Sequence, residues 1–529
     1  MNDRLHQFDN RPFDVVVVGA GTGGLTAAAL LAKRGRRVLV LDKHTVAGGS
    51  ATVFRRGRYE FDVGLHYLGS CRPDGMIPKI LVAAGAEGVE FEEMDADGFD
   101  TFIFPDFEFR VPKGLDRFRQ RLCAQFPGER RGIERYCRLL KQLERFMDTG
   151  GRFWKLLLAL PRCGLLWRWA NATLDEFLDT CTKDPRLRAV LSGQHFDYAM
   201  PNSKVSVLMT AGIAVHYLDG AYFPKGGGQV ISDALAASIE RHGGTILLGA
   251  RAERILVEGG RVRGVEFVSQ HVGRHTVSAD AVISNADLKR TVRDLVGPEH
   301  FREKTTSRVD QYEMTPAVGT VFLGLRRDLG NEGFPRTNYC IYSGYDWEAD
   351  YAAVARGEFP ERPSVYISIA SLKDPTNRRA APAGASNVQL MSIAPSQPEA
   401  WGVSEADLAG GAYRQSPRYR EKKEEFARRL IESAGRLFPD IDRQIAFQEV
   451  ATPLTHARYT GATGGTSYGI AATPGQMALR RAAAKTDVKG LYLCGASCRT
   501  GHGILGVMMS GLLAAGALVK ENLFAKVLG

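Results

Sequence analysis

The chain has 529 residues, 44% hydrophobic and 24% charged, proportions that exclude intrinsic disorder and a single small core. Its net charge of +10 comes without a dense Lys/Arg run, so nucleic acid is not an expected partner, and its eight cysteines have neither disulfide-framework nor zinc spacing, so no metal site is expected. Glycine is the outlier, 58 residues without a collagen period, and its clusters mark the turns that matter.

The first residues, Met1 to Asp9, carry charge where a signal peptide needs an apolar core, which predicts a cytoplasmic chain with no leader. Asp14 to Val18 is a short β-branched run of the kind buried on both faces of a parallel sheet. Gly19, Ala20, Gly21, Thr22, Gly23 and Gly24 follow, then a strong helix former from Leu25 to Arg34, with Gly35 at its left-handed end. A second strand over Arg37 to Leu41 delivers Asp42 and Lys43. Strand, G-x-G-x-x-G, helix, strand and acid in this order predict a dinucleotide-binding βαβ unit. The glycines let the backbone approach a pyrophosphate at the helix N-terminus, and Asp42 can accept from ribose hydroxyls. Val15 to Ala32 and Gly503 to Val519 are apolar, but their glycines favour buried helices over membrane spans.

Gly48, Gly49 and Ser50 lie beyond the second strand, and Phe61-Asp-Val-Gly-Leu-His-Tyr-Leu-Gly69 follows a basic stretch from Arg55 to Arg58. Arg152 to Ala170 concentrates three of the five tryptophans among leucines and basic residues, as a helix lying in a bilayer interface does, and Pro161 prevents one straight span. Thr173 to Glu176 reads as a capping box opening a new helix. A glycine turn at 226–228 leads into a helix ending at His242, and strands over 245–248, 254–257 and 261–268 form a hairpin region around Ala252. A buried strand follows at Ala281 to Ala286. Strand patterns recur at 317–325, 364–371 and 387–393, and a helix spans Tyr419 to Leu437 with a charged outer face. The chain closes with a strand at 490–494, a loop through Gly495, Ala496, His502, Gly503 and Ile504, and a helix to Val519.

Gly48-Gly49, the Phe61 to Gly69 segment, Val215 to Lys225, Val282 to Ala286 and Gly490 to Ile504 together resemble the phytoene desaturase, carotenoid isomerase and retinol saturase superfamily. The resemblance implies an α/β fold of monoamine-oxidase or GDI type. A discontinuous Rossmann-type FAD-binding domain (1–75, 215–290, 448–529) would be interrupted by an α+β substrate domain (76–214, 291–447). It implies FAD held by Gly19 to Gly24, Asp42, Lys43, Gly49, Ser50, Ala252, Gly495, Ala496, His502, Gly503 and Ile504. Where many relatives carry an acid after the strand glycine, this chain has Ala496-Ser497. It further implies a lipophilic polyene substrate reached by peripheral membrane contact, NAD(P)H as the external reductant if the enzyme saturates, and His66, Tyr67 and His502 as the nearest proton donors. A flavin-dependent isomerase, a GDI-like prenyl-lipid carrier without flavin, and an NAD-only dehydrogenase are the alternatives. No feature of the sequence bears on oligomeric state.

Overall fold

The computed structural model describes residues 11–147, 162–269 and 272–529. Its nucleotide side is built on a five-stranded parallel sheet in the order Leu491–Leu493, Val282–Ser284, Val15–Val18, Val38–Asp42, Thr245–Leu248. All four residues of Val15–Val18 are buried because both faces are covered. Val15, Val17, Val38 and Val40 point into a helical layer made by Thr22–Ala32, Gln229–Arg241 and Gly503–Val519. Val16, Val18, Leu39 and Leu41 point the other way, onto Ile255, Val265 and Phe267 of a three-stranded antiparallel sheet. Three separated stretches of sequence therefore close one sheet.

Every residue of helix Thr22–Ala32 is buried, and Gly35 (φ +73°) follows it in the left-handed conformation expected there. Helix Gly503–Val519 packs directly against it through small residues. A Cβ on Gly511 would lie 2.3 Å from the Gly23 carbonyl oxygen, so this approach requires glycine.

The second layer is a seven-stranded sheet in the order Ile445–Ala451, Ala317–Leu325, Ser386–Ala394, Val365–Ser368, Asn338–Ile341, Asp100–Ile103, Glu108–Val111. All pairings are antiparallel except Asn338–Ile341 with Asp100–Ile103. One face packs on helix Pro417–Ala434 through Phe426 and Leu430. The other meets a helical layer that includes Arg130–Met147 and Val207–Leu218. Four strands, at 100–103, 108–111, 338–341 and 445–451, go beyond the three that the alternation pattern predicts, and the first three weave the segment after residue 76 into the same sheet as the segment after 291. Helix Met76–Ala83 departs from that grouping: Ile77, Ile80 and Leu81 bury in the core shared with Thr22–Ala32, the apolar surface nearest to them.

No helix among the described residues is long and apolar enough to cross a membrane. Most of the tryptophan-rich stretch, 152–161, lies outside the described residues. Its described end forms the short helix Gly164–Trp169, whose Trp167 is 40% exposed and meets Phe146 edge-on at 5.1 Å. The capping box at Thr173 is formed in full, with Glu176 reaching back to the Thr173 backbone.

Candidate functional site

A cavity of about 1410 Å³ runs from the carboxyl ends of the parallel strands to the edge of the second sheet. Gly19, Gly21, Thr22, Gly23, Asp42, Lys43, Gly49, Ser50, Ala252, Gly495, Ala496, Gly503 and Ile504 line it, as do His66 and His502. Gly19 takes φ +103°, and a Cβ on Gly24 would lie 2.2 Å from the Gly19 carbonyl oxygen, so Gly24 is needed for the turn itself and not for the lining. Ala20 likewise sits behind the surface. Its N–H donates to Asp42 Oδ2 at 2.7 Å, and its carbonyl accepts from Gly48 N at 2.7 Å, which ties the turn to the Gly48-Gly49 loop. Asp42 also accepts from His44 N at 2.7 Å, while burial raises its carboxyl above the usual range against those two hydrogen bonds. Lys43 donates to the Arg458 carbonyl at 2.8 Å.

These features fit a dinucleotide. A Cβ on Gly21 would meet Asn285 Nδ2 at 2.7 Å and one on Gly23 would meet Val507 O at 2.9 Å, so only bare backbone forms the cradle. The buried Thr22 hydroxyl, at the first turn of its helix, has no partner among the described residues and can donate to a phosphate oxygen. The exposed side chains of Arg55, Arg56, Arg414, Arg420 and Arg458 add positive charge around the mouth.

Asn285 is the hub that sequence reasoning missed. Its N–H donates to the Val18 carbonyl at 2.8 Å, its side-chain amide lies 3.4 Å from the Gly19 carbonyl, and its Oδ1 accepts from Cys494 Sγ at 3.4 Å, so it joins the first and last glycine loops. Its place at the end of a buried strand, in Ser-Asn-Ala, was the available signal. His456, whose Nε2 lies 3.2 Å from Ser50 Oγ, was also missed, and no local motif marks it.

At the inner end, His66, Tyr468 and His502 line the cavity beside Val318 and Met391 of the second sheet. His502 Nε2 donates to the Asp197 carbonyl at 2.9 Å, which fixes its tautomer and leaves the buried Nδ1 without a partner among the described residues. Burial lowers His502 to about 4 and His66 to about 3, with Lys373 contributing in the second case, so both imidazoles are neutral at pH 7. Neutral imidazole is a poor proton source, and the expectation that these histidines act as acids is not supported. Tyr67 lies behind the cavity wall, stacked on Tyr217 at 3.9 Å, with its hydroxyl 2.6 Å from Asp197 Oδ2. Lys373, 1% exposed, donates to the His66 carbonyl at 2.6 Å and to Ser368 Oγ at 2.7 Å, and burial lowers it to about 7.

A family model for an NAD(P)-binding Rossmann-like domain matches residues 17–81, and one for flavin-containing amine oxidoreductases matches 390–519. The chain is 30% identical over 541 residues to all-trans-retinol 13,14-reductase of Macaca fascicularis, covering 97% of this chain and 86% of the relative. It is 27% identical over 524 residues to a chloroplastic prolycopene isomerase of Daucus carota, covering 96% and 80%. Among solved structures, an oxidoreductase from Methanosarcina mazei shares the fold with a TM-score of 0.62 at 17% identity, covering 96% of this chain and 100% of that one. With its Rossmann cradle, its C-terminal flavin-oxidoreductase segment and end-to-end similarity to these enzymes, the chain belongs to the all-trans-retinol 13,14-reductase family of flavin-dependent oxidoreductases.

Proposed function

We propose that this protein uses FAD to saturate or desaturate a carbon–carbon bond of a lipophilic, carotenoid- or retinoid-like polyene. The observation that carries the reading is the convergence of three distant glycine turns, at 19–24, 48–49 and 495–503, on one cavity that ends against the second sheet. In this reading Gly19 to Gly24 and the Thr22 hydroxyl hold the diphosphate, and Asp42 holds the adenosine ribose. The strand around Ala252 lies along the adenine end. Gly49, Ser50 and the Gly495 to Ile504 loop flank the isoalloxazine. FAD, when bound, supplies the hydride chemistry. The N-terminus of helix Gly503–Val519 favours negative charge on the flavin ring. The domain grouping given above is kept with three changes: helix Met76–Ala83 moves to the nucleotide side, and strand Ile445–Ala451 and helix Val207–Leu218 stay whole with the second sheet.

Similarity to a prolycopene isomerase supports a second reading, geometric isomerisation of a polyene without net redox change. A flavin-free lipid carrier of GDI type is disfavoured, because it has no use for the bare-backbone cradle at Gly21 and Gly23. NAD(P)H is the proposed reductant for saturation, and the tryptophan-rich segment at 152–170 the proposed membrane contact.

The test is anaerobic incubation of oxidised and reduced holoenzyme with a panel of retinoids and carotenoids, read by product mass. A gain of two hydrogens from the reduced enzyme, or a loss of two with the oxidised one, supports oxidoreduction and sets its direction. Unchanged mass with altered retention supports isomerisation, and no conversion of any polyene overturns the proposal.

A further inference from the structure

We propose that Asp197 delivers the proton when a substrate double bond is reduced, with Tyr67 and Asp100 as positioning residues behind it. This rests on the polyene-reduction reading above and names a group for which that reading has no residue. Tyr67 Oη lies 2.6 Å from Asp197 Oδ2 and 3.3 Å from Asp100 Oδ2. A phenol has one proton, so it can donate to only one of the two carboxyl groups. The other contact is a hydrogen bond only if that carboxyl carries its own proton.

The surroundings decide which one does. Asp100 also accepts from Asn338 Nδ2 at 2.8 Å and from Gln194 Nε2 at 3.1 Å, donors that stabilise a carboxylate. Among the described residues, the Asp197 carboxyl has a hydrogen bond only with Tyr67. The proton therefore sits on Asp197, which donates to Tyr67, which donates to the Asp100 carboxylate. The titration behaviour agrees. Burial raises Asp100 to about 6, whereas burial and the charge of Asp100 raise Asp197 well above the carboxylate range.

The backbone of the turn that carries this acid is tied to the cavity lining. The turn His195–Asp197 is tied to the C-terminal loops by His502 Nε2 donating to the Asp197 carbonyl at 2.9 Å and Tyr468 Oη donating to the Phe196 carbonyl at 2.7 Å. Both donors line the inner end of the cavity, as does His66, the chain neighbour of Tyr67. Among the described residues, two further buried polar atoms here lack partners, His66 Nδ1 and the hydroxyl of Tyr366, whose ring is 5.8 Å from His66 and 6.4 Å from Tyr67. With the local histidines neutral, the acids left at this end are Asp197 and Lys373, and the Lys373 ammonium is already engaged by the His66 carbonyl and Ser368 Oγ.

In the reduction, one new C–H bond takes hydride, with both electrons, from the reduced flavin. The other takes the Asp197 proton as the Asp197 O–H bond breaks, which leaves a carboxylate. Solvent then returns one proton to the Asp197–Tyr67–Asp100 chain, and a hydride donor of the NAD(P)H class restores the flavin electrons.

Infrared spectroscopy of the resting holoenzyme at about pH 8, above the range in which Asp62, Asp100 and Asp350 are protonated, reads the proton directly. The account expects a protonated-carboxyl band that shifts in D₂O, is lost in Asp197→Asn, persists in Asp62→Asn and moves in Tyr67→Phe. Single-turnover reduction by Asp197→Asn is expected to slow by about 100-fold or more with flavin absorbance retained. A wild type without the band, or an Asp197→Asn variant reducing polyene at the wild-type rate, overturns the proposal. Should that variant lose its flavin, the wild-type and Tyr67→Phe spectra decide. A wild type that reduces no polyene instead overturns the reading underneath.

Discussion

Asp42 shows how one side chain can serve both the fold and the ligand. Its two carboxylate oxygens hold the Ala20 and His44 N–H groups, and it still borders the cavity. Asp42→Ala leaves both donors unpaired and removes the proposed ribose acceptor. Hydrogen bonds to charged groups contribute about 1.5–3 kcal/mol, so FAD affinity should fall by roughly 10- to 100-fold in a fluorescence-quenching titration. Unchanged affinity would argue against this orientation of the dinucleotide. The buried histidines set a pH dependence. His66 and His195 are lowered to about 3, and His216 and His502 to about 4, in each case first by burial. Each is neutral in the fold but protonated in the unfolded chain below about 6.5, so its contribution is full above that pH and is lost as pH falls towards 3 to 4. Asp62, Asp100 and Asp350, raised to about 6, and Asp197, raised further, act in the opposite sense: the contribution of each is full below 3.8 and is lost as pH rises through its folded value. The histidines outweigh them, since Asp62, Asp100 and Asp350 have the smaller displacements, so Tm should fall between about pH 6.5 and pH 4.5, and a Tm that rises over that interval would contradict the assignment.

At the scale of elements, the contact between helices Thr22–Ala32 and Gly503–Val519 carries the cradle. Gly511→Ala would drive a Cβ to 2.3 Å from the Gly23 carbonyl oxygen and push the two helices apart. Lower Tm and loss of flavin on purification are expected together. Gly212→Ala is the counterpart: the position is helical and its Cβ would meet nothing within 4 Å among the described residues, so stability should rise by about 0.5–1 kcal/mol in a denaturant titration. The same elements show what could be read from sequence. The βαβ unit, the hairpin around Ala252 and the last strand and helix were legible because apolar runs and glycine turns are local signals. Strands Asp100–Ile103 and Asn338–Ile341 were not, because their pairing joins segments more than two hundred residues apart and places the polar Asp100 and Asn338 in the buried interior. Asn285 and Asp197 were missed for the same reason: their roles come from partners such as Gly19 and Tyr67, distant in sequence.

On the scale of the whole molecule, the glycine excess resolves into turns that bring three remote stretches to one cavity, while the second sheet closes its far end. The net charge of +10 finds a local expression in the arginines around the mouth, where a diphosphate would enter. The central claim is that this cavity couples bound flavin to a polyene bond. It is tested most directly by mixing anaerobically reduced holoenzyme with an all-trans retinoid or a carotenoid and following the flavin spectrum. The account predicts that oxidised-flavin absorbance returns in proportion to polyene consumed, with each product two hydrogens heavier. Flavin that stays reduced while every polyene tested, in the oxidised as in the reduced enzyme, is recovered unchanged would contradict it.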